Sequence, residues 1–305
     1  MKKNAVLAGL ALFFLGFAWG QNRRLLDISG VADWDKGELD ISLSLDLGAA
    51  GLKLPSGRIQ AEEIIEKEYA VLIRPFLLAL KADSSSTLGD LVQRGELPLE
   101  ELDRLSIEGK RIPPSLSTDL SRMNASYSIG MGAIRALFKR TQRPVETVRP
   151  VMPVPAADYS GIIIIASEEL PVHGRNTRAL AIPCIFPKIH DTEMKLIYDR
   201  SMADPAAADS EAGRSGGRPL VSYASEAAIF QPGPSGLDER LAKLAGPKPL
   251  RILARGIYGQ NPTDLIIDRE DALLITSSEN NRRLLRESRV VFVLNNSVLK
   301  VPFDG

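Results

Sequence analysis

Asp158-Tyr159-Ser160-Gly161, followed by Ile162-Ile163-Ile164-Ile165, is the stretch around which the rest of the chain organises. After a polar break come Ala181-Ile182-Pro183-Cys184-Ile185-Phe186-Pro187-Lys188-Ile189 and Met194-Lys195-Leu196-Ile197-Tyr198. An unbroken β-branched run bounded by turn residues predicts a strand covered on both faces. Helix is disfavoured there because β-branched side chains lose χ1 freedom against the preceding turn. Pro183 and Pro187 donate nothing to a ladder, so the next run is expected at a sheet edge or as an extended arm. Met194 to Tyr198 partly alternates and reads as its hairpin partner.

Upstream, Pro144, Pro150, Pro153 and Pro155 lie among valines, a pattern of extended connectors. Residues 144–157 therefore divide two lobes, 21–143 and 158–305. In the first lobe Leu39, Ile41, Leu43, Leu45 and Leu47 alternate strictly with polar residues, the mark of a half-buried strand. Leu26 to Val31 is its expected neighbour across a turn at Asp35-Lys36-Gly37. Arg58 to Leu80 has helical periodicity, with Pro75 expected to kink it or end it near Arg74. Ser84 to Pro114 reads as broken helix, with Ser86 as a cap, and Ser117 to Ile129 as a third strand. Gly130-Met131-Gly132 has Arg135 at the position of the third glycine of a dinucleotide loop, so it reads as a turn before a short helix.

Downstream, Asp204 to Gly217 is rich in Ala, Gly and Ser and reads as an exposed, mobile excursion. Another Pro/Gly loop spans Gln231 to Ser235, with Ser235 expected to cap Leu237 to Ala245. Leu250 to Ile257 and Thr263 to Ile267 bracket a turn at Gly259 to Pro262. Asp268 and Ser277 mark helix starts, and Val290 to Leu294 closes the lobe as a strand. The expected fold class is α+β: mixed sheets with packed helices, in two lobes joined by a proline-rich connector.

Composition narrows the function. The chain has 305 residues and formal charge zero, with 38 Lys and Arg against 38 Asp and Glu. No field of that size steers nucleic acid or an anionic membrane. Lys2 and Lys3, an apolar run from Ala5 to Phe17 and Ala18-Trp19-Gly20 together read as a secretory signal over residues 1–20. The apolar run is short for a bilayer span, so no transmembrane segment is expected after cleavage. The expected location is the periplasm. A single cysteine, Cys184, excludes an internal disulfide and reads as a small buried hydrophobe.

Catalytic motifs are missing. No Walker loop, Gly-x-Ser-x-Gly elbow or Cys/His metal spacing occurs. Catalytic, cofactor-binding and metal-ligating residues are therefore given as none, and no cofactor is expected. His173 and His190 each have a carboxylate nearby in sequence, which leaves an exported hydrolase as the alternative. Trp34, Tyr159, Tyr198 and Tyr258 lining one groove would instead make a solute- or glycan-binding module. Asp264, Asp268, Glu270 and Asp271 read as helix-start carboxylates. Arg282, Arg283, Arg286 and Arg289 surround Leu284 and Leu285 and form the candidate interaction surface, against a plain solvated helix end.

Tyr159 to Ala166, Ala181 to Ile189 and Leu196 to Tyr198 resemble a segment of exported bacterial proteins, the 20-kDa-lipoprotein-like and flagellar-assembly proteins that surround the motor in the periplasm. Asp264 to Ala272 and Leu285 to Val291 look like that pattern too. Here Ser160 stands for its Thr, Ala166-Ser167-Glu168 for its Asp-Ala-Arg, and no lipobox Cys is present. The resemblance implies a non-enzymatic structural or assembly protein, associated with flagellum or envelope, working through protein partners or self-association. Such a surface protein is expected to offer an open sheet edge and no cleft of convergent polar groups.

Overall fold

The computed structural model describes residues 25–138, 144–147, 149–208, 218–231 and 236–304. The signal-like residues 1–20, most of the 204–217 excursion and most of the 231–235 loop lie outside them.

Alternation of apolar and polar residues builds the first domain. Strands β1 (Leu26–Asp33) and β2 (Glu38–Asp46) form a hairpin, and Leu39, Ile41, Leu43 and Leu45 all point inward. Helix α1 (Gly57–Ala79) covers that face with Ala61, Ile65, Tyr69, Ile73 and Leu77, a stripe with a spacing of four. Pro75 does not end α1, which runs on to Ala79. The proline and Val71, whose carbonyl it leaves without a donor, both lie on the solvent side, where water can take the bond. Next come α2 (Leu88–Gln93), capped by Thr87 and not Ser86, and α3 (Leu99–Glu108).

A second hairpin corrects the reading of the 110–130 region. Strand β3 (Lys110–Leu116) falls where helix was expected, and β4 (Arg122–Gly130) begins after a turn at 117–121. Pro113 and Pro114 sit at a bulge on β3, an edge position that tolerates missing donors. Helix α4 (Met131–Ala136) follows, as the glycine pair indicated.

The second domain is built on β5 (Ile162–Ala166). A two-residue pair, β6 (Leu170–Pro171) and β7 (Arg178–Ala179), precedes β8 (Ile189–Asp191) and β9 (Leu196–Tyr198). After β10 (Ser222–Ala224) come α5 (Glu239–Ala245), capped by Asp238, then β11 (Leu250–Leu253), β12 (Gly256–Tyr258) and β13 (Asp264–Ile267). Helices α6 (Arg269–Ser277) and α7 (Glu279–Arg286) lead to β14 (Val290–Leu294). The chain closes with α8 (Asn296–Leu299) and β15 (Lys300–Asp304).

β5 lies inside an all-parallel sheet of order β10-β14-β5-β11. Ile162 and Ile164 face the main core, while Ile163 and Ile165 face a smaller apolar layer that includes Leu241 and Ala245 of α5. Gly161 permits that close approach, because a Cβ there would stand 2.6 Å from the Ala245 backbone. Ser160 ties the same corner: its hydroxyl donates to Ala245 O at 2.7 Å and accepts from Lys248 N at 2.9 Å. The Tyr-Ser-Gly triplet is thus a docking point for α5.

Residues 181–188 form no strand, in keeping with an extended arm, and only Ile189 enters a second sheet, at an interior strand. That sheet has the order β12-β13-β8-β9, with β8 parallel to β13 and antiparallel to β9. Both prolines precede β8, so none of its ladder donors is lost.

The two lobes are less separate than the proline connector suggests. β15 leaves the second domain and pairs antiparallel with β1, which makes the first sheet β15-β1-β2-β4-β3. One apolar cluster runs through both domains and includes Leu39, Ile41 and Leu45 of β2 as well as Ile164, Phe292 and Leu299. Among the described residues no helix is long and apolar enough to cross a membrane.

Truncating Ile164, fully buried at the centre of the parallel sheet, is expected to cost about 2–5 kcal/mol. Ile165→Ala, at a partly exposed site, should cost less. Urea denaturation of both variants checks the order.

Candidate functional site: the inter-domain cleft

A cavity of about 860 Å³ opens between the domains, within the size range of ligand pockets. The β1–β2 turn supplies one wall with Trp34, Asp35 and Lys36, and the β4–α4 junction adds Met131 and Arg135. The opposite wall is β10 and the chain before it, with Arg218 and Tyr223, joined by Arg240 and Lys243 of α5.

Local pairing positions these groups. Glu38 and Gly130 are register partners at the open end of the β2–β4 ladder, and Met131 N donates to Gly37 O at 2.8 Å. This joins two loops far apart in sequence into one rim. Trp34 is buried and meets the Tyr223 ring edge-on at 5.6 Å. The Tyr223 hydroxyl donates to Cys184 O at 2.8 Å and accepts from Cys184 N at 3.0 Å.

Two arginines that line the cleft cross the boundary. Arg240 Nη2 donates to the Asp35 carboxylate at 2.7 Å and to Tyr223 O at 3.2 Å. Arg135 is only 7% exposed. Its Nη1 donates to Arg218 O and Pro219 O, each at 3.1 Å, and to Ser288 Oγ at 2.9 Å. These partners are neutral. Burial pushes the Arg135 guanidinium below its ordinary range, with the nearby Tyr198 and Asp204 acting in the opposite direction. The cleft lining holds five cationic side chains, Lys36, Arg135, Arg218, Arg240 and Lys243, against three carboxylates, Asp35, Glu38 and Glu239. Its field is therefore positive in a chain of zero net charge.

Behind the cleft floor lies a buried polar cluster. Asp264 is fully buried, and its Oδ1 accepts from Lys188 N at 3.1 Å and Thr263 Oγ1 at 3.3 Å, while its Oδ2 has no hydrogen-bond partner. Burial raises its carboxyl above the ordinary value of 3.8. Asp264 is thus not the helix-start carboxylate expected. Burial and the neighbouring Asp264 carboxyl likewise push the Cys184 thiol upward, which makes Cys184 a poor nucleophile.

The histidines lie elsewhere. His173 and His190 flank Tyr258, with ring centroids 6.1 Å and 5.8 Å from it. Neither lines the cleft. Burial and Lys188 lower the proton affinity of His190, whose Nδ1 is enclosed without a partner. Asp191, the adjacent carboxylate, spends its Oδ1 on the N–H groups of Glu193 and Lys195, both at 2.9 Å. Among the described residues no group of three His, Cys, Asp or Glu side chains could hold a metal ion. The two imidazoles are therefore neighbours without a carboxylate dyad.

The single aromatic groove is not formed. Trp34 is in the cleft wall, Tyr198 is fully buried in the core, Tyr159 lies beneath Lys248, and Tyr258 sits with the histidines. The arginine face is also dismantled. Arg282 is buried and donates to Thr276 O and to Glu279, and Arg286 donates to the other oxygen of Glu279 at 2.7 Å. Those two guanidinium groups hold the Glu279 carboxyl down to about 2. Arg289 Nε donates to Leu244 O at 3.1 Å, which leaves Arg283 as the exposed member, paired with Glu287. Arg282, Arg283, Arg286 and Arg289 fasten α7 to its surroundings and do not form one free cationic patch.

Two outcomes follow from the buried charges. Because the folded Asp264 binds its proton more tightly than the unfolded chain does, stability should fall as pH rises from about 3.8 through its raised value. Asp264→Asn should flatten that slope, read from denaturation midpoints across pH. Arg135→Met strips a donor from four acceptors, Asp204 O among them, and is expected to cost at least about 2 kcal/mol, measured by the same assay at neutral pH.

Comparisons with known proteins follow the domain division. Residues 26–137 match the family model of the Treponema pallidum Tp0624 N-terminal domain, and residues 161–296 match that of the Tp0624 second domain. Neither model describes a flagellar or lipoprotein family. The search of curated proteins found no match. Domain by domain and in this order, the chain is similar to the N-terminal and second domains of the Treponema pallidum Tp0624 family.

Proposed function

We propose that this is a non-enzymatic, exported binding protein that holds an anionic partner in the cleft between its two domains. The carrying observation is the inter-domain cavity of about 860 Å³ with its excess of cationic side chains. The cleft was not expected of a protein working through its outer surface alone, so the reading moves from the surface to the cleft. Turnover has little support there. Cys184 is buried with a raised proton affinity, and the imidazoles are outside the cavity. On this proposal the setting is the periplasm, as the signal-like residues 1–20 imply. The partner is an envelope or flagellar component, as the resemblance around Tyr159 to Tyr198 implies.

A photoreactive amino acid at Lys243, on the cleft rim, tests this in intact cells, with Ile59 on the outer face of α1 as the control. Adducts that depend on the Lys243 position are expected, identified by mass spectrometry. Equal labelling from both positions, or none from the rim, would overturn the proposal.

A further inference from the structure

We infer that the occupant of the cleft is an extended acidic peptide segment, added as a further strand beside β10; this rests on the cleft reading above. β10 is the terminal strand of the parallel sheet, and among the described residues β14 is its one strand neighbour. Ser222 and Tyr223 of β10 line the cavity, as do Pro219 and Val221 just before it. A strand edge left open is a template for another chain. β10 itself carries neither proline nor lysine, the residues that usually blunt such an edge. What meets it is a side chain: Arg240 donates to Tyr223 O.

Charge selects the kind of peptide. Pairing takes up three of the five cations: Arg240 bonds Asp35, Lys243 bonds Glu239 at 2.8 Å, and Lys36 lies 3.8 Å from Asp33. Arg135 is held only by neutral oxygens, so its charge is not cancelled by the groups it bonds. Cation-rich walls of this kind attract carboxylates and repel basic segments. Shape selects further. The same cavity has an apolar wall of Trp34 and Met131. A strand sends alternate side chains to opposite sides, so a peptide alternating acidic and apolar residues offers each surface its complement. Strand addition supplies affinity through main-chain bonds and specificity through those alternate side chains. A small anion would meet the charges and leave the edge of β10 uncovered.

The test uses the purified chain and fluorescein-labelled decapeptides with Glu at every second position and a mixture of Val, Thr and Tyr between. Matched peptides carry Lys for Glu. Two further sets are N-methylated at either the odd or the even amides. Anisotropy titrations should show binding of the Glu set and at least tenfold weaker binding of the Lys set. One N-methylation register should abolish binding while the other is tolerated, because only alternate amides of an added strand face β10. The double variant Lys36→Glu, Lys243→Glu, at two solvent-exposed rim positions, should weaken the Glu set at least tenfold. Equal binding of both N-methylated sets would overturn strand addition and leave the anionic cleft standing. No binding of the Glu set, with rim-specific crosslinks still seen in cells, would overturn the peptide inference alone. Failure of both experiments removes the cleft reading as well.

Discussion

Arg135 leaves α4 of the first domain and ends among carbonyl oxygens and a serine hydroxyl of the second. Taking a guanidinium out of water costs several kcal/mol, and the cost is offset only where its donors are met with good geometry. Here the acceptors come from 218–219 and from Ser288, two segments that must both be in place. Ser288 holds a left-handed backbone, φ 55°, while fully buried, so its hydroxyl is presented by a conformation that its surroundings enforce. The buried cation therefore fixes the spacing of the domains, and that spacing leaves the cleft open.

Arg135 does not act alone. β15 crosses from the second domain to complete the first sheet, and Trp34 N donates to Leu299 O at 2.9 Å where the crossing begins. Ile185 N and Phe186 N donate to Lys81 O and Ala82 O, which joins the 181–189 run to the end of α1. These are main-chain bonds beneath a shared apolar cluster, so sliding the domains would break a sheet, a core and a buried-charge network together. A hinge between independent lobes is a poor description of such a junction. The proline segment that looks like a linker is itself strapped down: Asn281, fully enclosed, accepts from Tyr159 N and donates to Ala157 O.

Local pattern revealed the elements that local physics decides. The Leu39 to Leu47 alternation and the Ile162 to Ile165 run each have one reading, because a period of two and a β-branched block leave few alternatives. Proline was the main source of error. At Pro75 the helix continues because the lost bond falls on the wet side, and that depends on which face packs, a tertiary fact. At 110–116 two prolines concealed an edge strand that a bulge accommodates. β15 carries Pro302 and follows a short helix, so nothing local announced that it would return to β1. The cleft was legible only in fragments. Arg135 stood out as the residue that spoils a glycine motif and Asp35-Lys36-Gly37 as a turn, and their convergence needs the β2–β4 register.

The four-arginine stretch shows why a charge run is weak evidence for an interface. Arginine carries its donors on a long stem, and the 282–289 segment packs closely enough for Arg282, Arg286 and Arg289 to find partners in the fold. Each then works as a fastener, and Arg282 and Arg286 also spend their charge on the shared Glu279 carboxylate. In the cleft Lys36, Arg240 and Lys243 likewise meet carboxylates. Arg135 also bonds within the fold, but to neutral oxygens, so its charge is left to the cavity that it lines. What sets the cleft apart is the environment of its one buried cation: Arg135, only 7% exposed, meets neutral oxygens alone, whereas Arg282, Arg283 and Arg286 each meet a carboxylate.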